Sequence, residues 1–230
     1  MKVFETIKLL LTGIANRLYN LIFFIYESFR YGLNLWWWKV RISCFFQYFL
    51  TGLYSLVITE SAGTTYNADN FIYGETFCST IEVMLSRVPG LLPGDVFVDL
   101  GCGRGLTVLY AYFLKKLKCK GYDLIPTFIR RANLIKQLSG ANEVEFYLLD
   151  ILEADISNAK VIYVAGTTFE DRFIKKLTNK LRQARADAVI ITLSYPLSDR
   201  FFNLFREEEL WFSWGKTHVY YHKKRISSCG

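Results

Sequence analysis

The segment VFVDLGCGRG, residues 96–105, is an apolar run that ends on Asp99 and opens into Gly101, Gly103 and Gly105. A strand here would deliver a carboxylate at its carboxyl end. The glycines let the backbone turn sharply and approach a ligand at the start of the next helix. A dinucleotide fingerprint, GxGxxG, would want its third glycine where Leu106 stands, and it needs no acid ahead of the loop. A carboxylate beside a close backbone turn suits a ligand carrying an ammonium and a sulfonium, so the motif predicts S-adenosylmethionine (SAM). Two further acids follow at matching places. Asp123 in CKGYDL ends the next strand, where a carboxylate can accept from both ribose hydroxyls. Asp150 in FYLLDI ends the third strand and would accept from the adenine amino group. Cys102 reads as a small turn residue rather than a nucleophile, with no histidine near it in sequence.

These groups need a scaffold of alternating strands and helices. VFVDL, CKGYD, VEFYLLD, AKVIYVA and DAVIITLS read as strands. Between them, LTVLYAYFLKKLK, PTFIRRANLIKQL and FEDRFIKKLTNKLRQA read as helices, the second started by Pro126 and stopped by Gly140. ETFCSTIEVMLSRV reads as a helix ahead of the first strand, and Glu209 to Lys223 as a hairpin turning near Gly215. The expected fold is α/β: a doubly wound, mostly parallel seven-stranded sheet with an antiparallel C-terminal hairpin and an N-terminal helical extension. The expected organisation is an aromatic-rich extension over 1–60, a linker, loop and helix over 61–94 with the polar stretch 61–70 as its connection, and the catalytic domain over 95–226.

Composition narrows the function. The 230 residues carry a net charge of +7, which favours an acidic partner without choosing among nucleic acid, anionic lipid and protein. Basic residues cluster at Lys115, Lys116, Lys118 and Lys120 and again at Lys223, Lys224 and Arg225. His218 and His222 are the only histidines, which leaves little for a histidine-centred hydrolase triad. The five cysteines are scattered without a CxxC pair, so neither a disulfide framework nor a structural zinc is expected, no metal enters the predicted site, and a reducing, cytoplasmic location fits.

Residues 1–60 differ from the rest. Val3, Ile7, Leu10, Ile14, Leu18, Leu21, Ile25 and Phe29 recur at helical spacing, with Glu5, Lys8, Thr12, Glu27 and Arg30 opposite. Trp36, Trp37 and Trp38 come next, then Lys39 and Arg41, then a charge-free stretch from Ile42 to Thr59. Three expectations compete: an appendage packed on the catalytic domain through its apolar face, attachment to a membrane surface, and a membrane span interrupted by Ser43, Gln47, Thr51, Gly52 and Ser55. Glu5 and Lys8 break the early apolar run and argue against a secretory signal.

YGETFCSTIEVML from Tyr73 to Leu85, then DVFVDLGCGRG, then SWGKTHVYYHKK from Ser213 to Lys224, resemble the disruptor-of-telomeric-silencing family of lysine methyltransferases. These enzymes lack a SET domain and use the class I SAM fold. The resemblance runs from about Asn70 to the end. It implies that Tyr73, Gly74, Glu75 and Thr76 close over the cofactor, that Asp99, Gly101 and Gly103 form its glycine loop, that Asp123 holds the ribose, and that Asp150 with Ile151 flanks the adenine. It places Tyr220, or Tyr221 in its stead, and Phe169 beside the acceptor channel, where Tyr73 also belongs. Its asparagine at the transfer centre is replaced by Ala165, Gly166 and Thr167, and the long basic nucleosome-binding extensions of the eukaryotic members are absent. The acceptor implied is a protein lysine. The aromatic N-terminus favours a small or lipid-soluble acceptor instead, and a third reading is a membrane-attached module that binds SAM without catalysis.

Overall fold

The structure, a computed structural model, describes residues 2–49, 74–166 and 169–225, with side chains from residue 11 onward. Tyr73, Thr167 and the connection at 61–70 lie outside the described residues. β1 (Val96–Leu100), β2 (Lys118–Asp123), β3 (Val144–Leu148), β4 (Ala159–Val164) and β5 (Val189–Leu193) run parallel. β6 (Phe202–Phe212) and β7 (Gly215–Lys224) form the hairpin, with β7 antiparallel to β5. The strand order is β3-β2-β1-β4-β5-β7-β6, so the order reverses beside β1, at the carboxyl ends where ligands bind in such sheets.

β1, β4 and β5 are buried on both faces, which is why they read as continuous apolar runs. One core lies under α2 (Leu35–Tyr48), α3 (Cys78–Ser86), α4 (Leu106–Lys115) and α5 (Pro126–Ser139); the other lies under α6 (Asp171–Leu181) and the segment from Ile151 to Ile156. α5 begins with Pro126 in its first turn, where the missing N–H is not needed, and ends on Gly140 at φ 76°, closing a left-handed cap.

Two elements depart from the sequence reading at their ends. α3 begins at Cys78 rather than Glu75, because the Glu75 backbone is spent on an extended pairing with Ser213. β6 begins at Phe202 rather than Glu209; as the edge strand it leaves its polar side chains in water, which weakens the apolar alternation that marks a strand.

α1 (Lys2–Tyr31) corrects a third expectation. It does pack on the catalytic domain, but through Tyr19, Asn20, Phe23, Glu27 and Tyr31. The Tyr19 hydroxyl donates to Phe212 O at 2.8 Å, Asn20 Nδ2 to Ser213 O at 3.0 Å, and Phe23 stacks on Phe77 at 4.3 Å. Glu27, assigned to the polar side by sequence, is buried and accepts the Ser79 N–H (2.7 Å) and hydroxyl (3.0 Å), capping the first turn of α3. The face expected to be covered, Ile14, Leu18, Leu21, Ile25 and Phe29, is exposed. A ring hydrogen-bonding to a strand and a carboxylate capping a helix orient α1 more strongly than its apolar stripe does. α2 packs with Trp37, Val40, Cys44 and Tyr48 inward, and Trp37 is fully buried 5.9 Å from the Tyr110 ring. Among the described residues no helix is long and apolar enough to cross a membrane.

Candidate active site

Asp99 sits near the end of β1, 2 % exposed, paired in register with Gly121 on β2 and Tyr163 on β4. Burial, and secondarily the Asp123 carboxylate, lifts its pKa well above the ordinary carboxylate range. Its Oδ1 is buried with no donor among the described residues. Such an oxygen is costly to leave unpaired, and a cationic donor from a ligand would satisfy it.

The glycine loop is pinned to the end of β2. Gly101 N and Cys102 N both donate to Tyr122 O at 2.9 Å. Gly103 N donates to Asp123 Oδ2 at 2.8 Å, while Ile125 N donates to Oδ1 at 2.9 Å. Gly105 takes φ 77°, and a Cβ there would lie 2.6 Å from the Phe146 ring, so both conformation and space demand glycine. Asp123 thus holds the loop and the start of α5 at once. Burial raises its pKa to about 6, against the lowering effect of the N–H groups it accepts from. Cys102 is buried and its thiol is pushed far up, first by burial and then by the two aspartates, which makes it a poor nucleophile. Asp150 follows β3, half-buried, and accepts Leu152 N at 2.9 Å; Ile151 packs into the core beneath.

Residues 74–76 reach three parts of the site. A Cβ on Gly74 would fall 2.2 Å from the Trp214 ring, so only glycine lets that ring lie against the chain. Glu75 N donates to Ser213 Oγ at 2.8 Å and Ser213 N returns to Glu75 O at 3.0 Å. The Glu75 carboxylate pairs with Arg104 of the glycine loop. Thr76 Oγ1 and the Tyr163 hydroxyl share a hydrogen bond of 2.7 Å, on the strand that pairs with Asp99. Residues 74–76, the glycine loop and the hairpin turn therefore meet, although they lie far apart in sequence.

α2 joins them from outside. The Arg104 guanidinium lies 5.0 Å from the Tyr48 ring and Arg131 lies 4.8 Å from it on α5. Sequence reasoning missed Tyr48, Arg104, Tyr163, Ser213 and Trp214. Arg104 lay inside the motif, and Ser213 and Trp214 inside the closing segment, but nothing local marks Tyr48 or Tyr163 as neighbours of the site.

Tyr220, Tyr221 and Phe169 fall differently. The register Asp99–Tyr163–Ile191–Tyr221 puts Tyr221 on the face of Asp99, where it is buried and donates to Glu208 at 2.8 Å. Tyr220 pairs with Thr192 and faces the other way, on the side of the second core. Phe169 packs on that same core, T-shaped against Phe173 at 4.7 Å, its ring seated where a side chain at position 166 would be. Gly166 is thus required by Phe169. His222 is buried, accepts Leu197 N at Nε2 (3.0 Å), and has its pKa lowered by burial to about 4, which suits a neutral structural ring. Among the described residues no group of three His, Cys, Asp or Glu could hold a metal ion.

Comparison with known proteins agrees with this geometry. An RNA methyltransferase from Salinibacter ruber, solved with S-adenosyl-L-homocysteine, superposes with a TM-score of 0.54 at 24 % identity over 66 % of this chain and 95 % of that one. A geranyl diphosphate C-methyltransferase from Streptomyces coelicolor A3(2) gives 0.53 at 13 % identity over 65 % and 76 %. A tRNA methyltransferase of B. subtilis gives 0.52 at 16 % identity, covering 66 % of each chain. These likenesses show the class I methyltransferase fold. No curated protein matches the chain. The family described as "Histone methylation protein DOT1" matches residues 54–225, a stretch that takes in the YGET segment, the glycine loop, all three acids and the hairpin. The chain belongs to that family and is a SAM-dependent methyltransferase.

Proposed function

We propose that the protein transfers a methyl group from SAM to a lysine side chain of a protein. The observation that carries this reading is that one family match spans both YGET and SWGKTHVYY, the two segments joined through Glu75 and Ser213. In this reading Asp99 takes the ammonium, Asp123 the ribose hydroxyls, and Asp150 with Ile151 the adenine end, while Tyr73, Gly74, Glu75 and Thr76 cover the cofactor and Gly101 and Gly103 bring the backbone close. SAM supplies a methyl group on a sulfonium, ready for in-line displacement. The chain's own residues then align the acceptor and exclude water. A lysine must be neutral to attack, and an aromatic lining lowers its pKa by desolvation; Tyr73, Phe169 and Tyr220 are the rings proposed for that lining, with Tyr221, on the opposite face of β7, as the alternative to Tyr220.

The test is incubation of the protein with methyl-labelled SAM and cell lysate, followed by separation into protein, nucleic-acid and lipid fractions and hydrolysis of the labelled protein. Label recovered as methyl-lysine supports the proposal. Label confined to nucleic acid or lipid refutes lysine as acceptor, and a failure to bind SAM in a titration refutes the site itself.

A further inference from the structure

The exposed stripe on α1 is matched by one on α2. Leu35, Ile42, Phe45, Phe46 and Phe49 are all at least half exposed, at helical spacing, while Trp37, Val40, Cys44 and Tyr48 point inward. Phe29 is 85 % and Phe46 75 % exposed. Soluble surfaces rarely carry so many large apolar side chains in continuous stripes. Each helix thus has two apolar sides, one spent on the catalytic domain and one left outward.

The exposed charge that α1 and α2 themselves carry beside these stripes is basic, although Arg30 is paired with Glu82 of α3 at 2.8 Å, which leaves Arg17 and Lys39 as the cations facing outward. The first fifty residues hold six Lys or Arg against two Glu. Among the described side chains from 11 to 49, the sole acid is Glu27, which is buried, whereas Arg17, Arg30 and Lys39 are exposed. A groove of about 400 Å³ opens beside α1, lined by Ile22, Tyr26, Val83, Leu210 and Trp211. The Lys216 ammonium lies 4.9 Å from the ring of Trp211, which forms part of that lining.

We infer that α1 and α2 dock the protein, lying in the plane of the interface, on an anionic phospholipid bilayer. Apolar stripes that enter the acyl boundary and basic residues that meet acidic headgroups are the two terms such binding needs. A second copy of the chain would also cover apolar stripes, but cation would then face cation wherever the basic rims met. The largely apolar groove suits an acyl chain, and Lys216, beside Trp211, would meet an anionic headgroup. Tyr48, which touches Arg104 of the glycine loop, is one residue from the outward Phe49, so docking would set the catalytic site beside the membrane.

The experiment is co-sedimentation of the full chain with phosphatidylcholine vesicles, with and without about a third phosphatidylserine, at low and high salt, alongside the double variant Phe29→Glu/Phe46→Glu. Both positions are exposed, and a SAM titration shows whether the variant's site is intact. Binding to the anionic vesicles that drops at high salt, and at least tenfold in the variant with SAM affinity unchanged, supports docking. Absence of anionic-vesicle binding, binding unaffected by the double substitution, or a dimer in solution that the same substitution dissolves would each overturn it. None of these results depends on which acceptor is methylated.

Discussion

Replacing Asp123 with asparagine separates two things that its carboxylate does. Oδ2 and Oδ1 accept from Gly103 N at 2.8 Å and Ile125 N at 2.9 Å, so part of the side chain builds the loop. The remaining lone pairs are what ribose hydroxyls would use, and they are full acceptors only while the group is ionised. Burial holds its pKa at about 6. At pH 7.5 nearly all of the protein is therefore competent, but at pH 5 only about one molecule in eleven is ionised, so the apparent Kd for SAM should rise about tenfold, or ~1.4 kcal/mol. The sign follows from the raised pKa: protonation favours the empty protein, and affinity is lost as pH falls through 6. The Asp123→Asn substitution removes the charge, costing roughly 1.5–3 kcal/mol, or ten- to hundredfold in affinity, at pH 7.5. It should also remove the pH dependence centred near 6. Calorimetric titration of both proteins at pH 5, 6 and 7.5, with circular dichroism to confirm folding, measures all of this. Equal wild-type affinity at pH 5 and 7.5, or an asparagine variant with the same fall, would refute the placement of the ribose on Asp123.

Two further outcomes follow from the packing. Trp37→Ala should cost roughly 3–5 kcal/mol in denaturant unfolding, because a fully buried indole leaves a cavity between α2 and α4; a loss under about 1 kcal/mol would mean that α2 is not part of the core. His222 has a folded pKa near 4 against about 6.5 unfolded, so it contributes stability that is complete above pH 6.5 and is lost as pH falls towards 4, by about 3 kcal/mol at most. Its ring resonances should remain those of neutral imidazole down to about pH 5, and a titration midpoint near 6.5 would show that the ring is not buried.

Much of this protein is legible locally. An apolar run ending in Asp99 and breaking into glycines can hardly be anything but a strand and a close turn, because steric limits on φ and the period of side chains act over a few residues. The α/β alternation follows from the same short-range physics, and so does the start of α5 at Pro126 and its end at Gly140. Sequence also determined that the carboxylates at 99, 123 and 150 would stand near successive strand ends, since each stands at or close to the end of its own strand.

What it did not determine is which of two competing surfaces an element would bury. α1 is apolar on more than one side, and its periodicity favours the stripe through Ile14 and Phe29. The choice went instead to the side carrying Tyr19, Phe23 and Glu27, whose partners Phe212, Phe77 and Ser79 come from distant parts of the chain. Whether Tyr220 or Tyr221 faces Asp99 likewise rests on strand register, because neighbours on a strand point to opposite faces and a slip of one residue exchanges them. The meeting of Glu75 with Arg104 and Ser213, and of Tyr48 with Arg104, needs the whole sheet to be assembled first. Local propensity carries no information about groups that far apart; only the tertiary structure brings them together, through burial and polar pairing that are optimised over the entire fold.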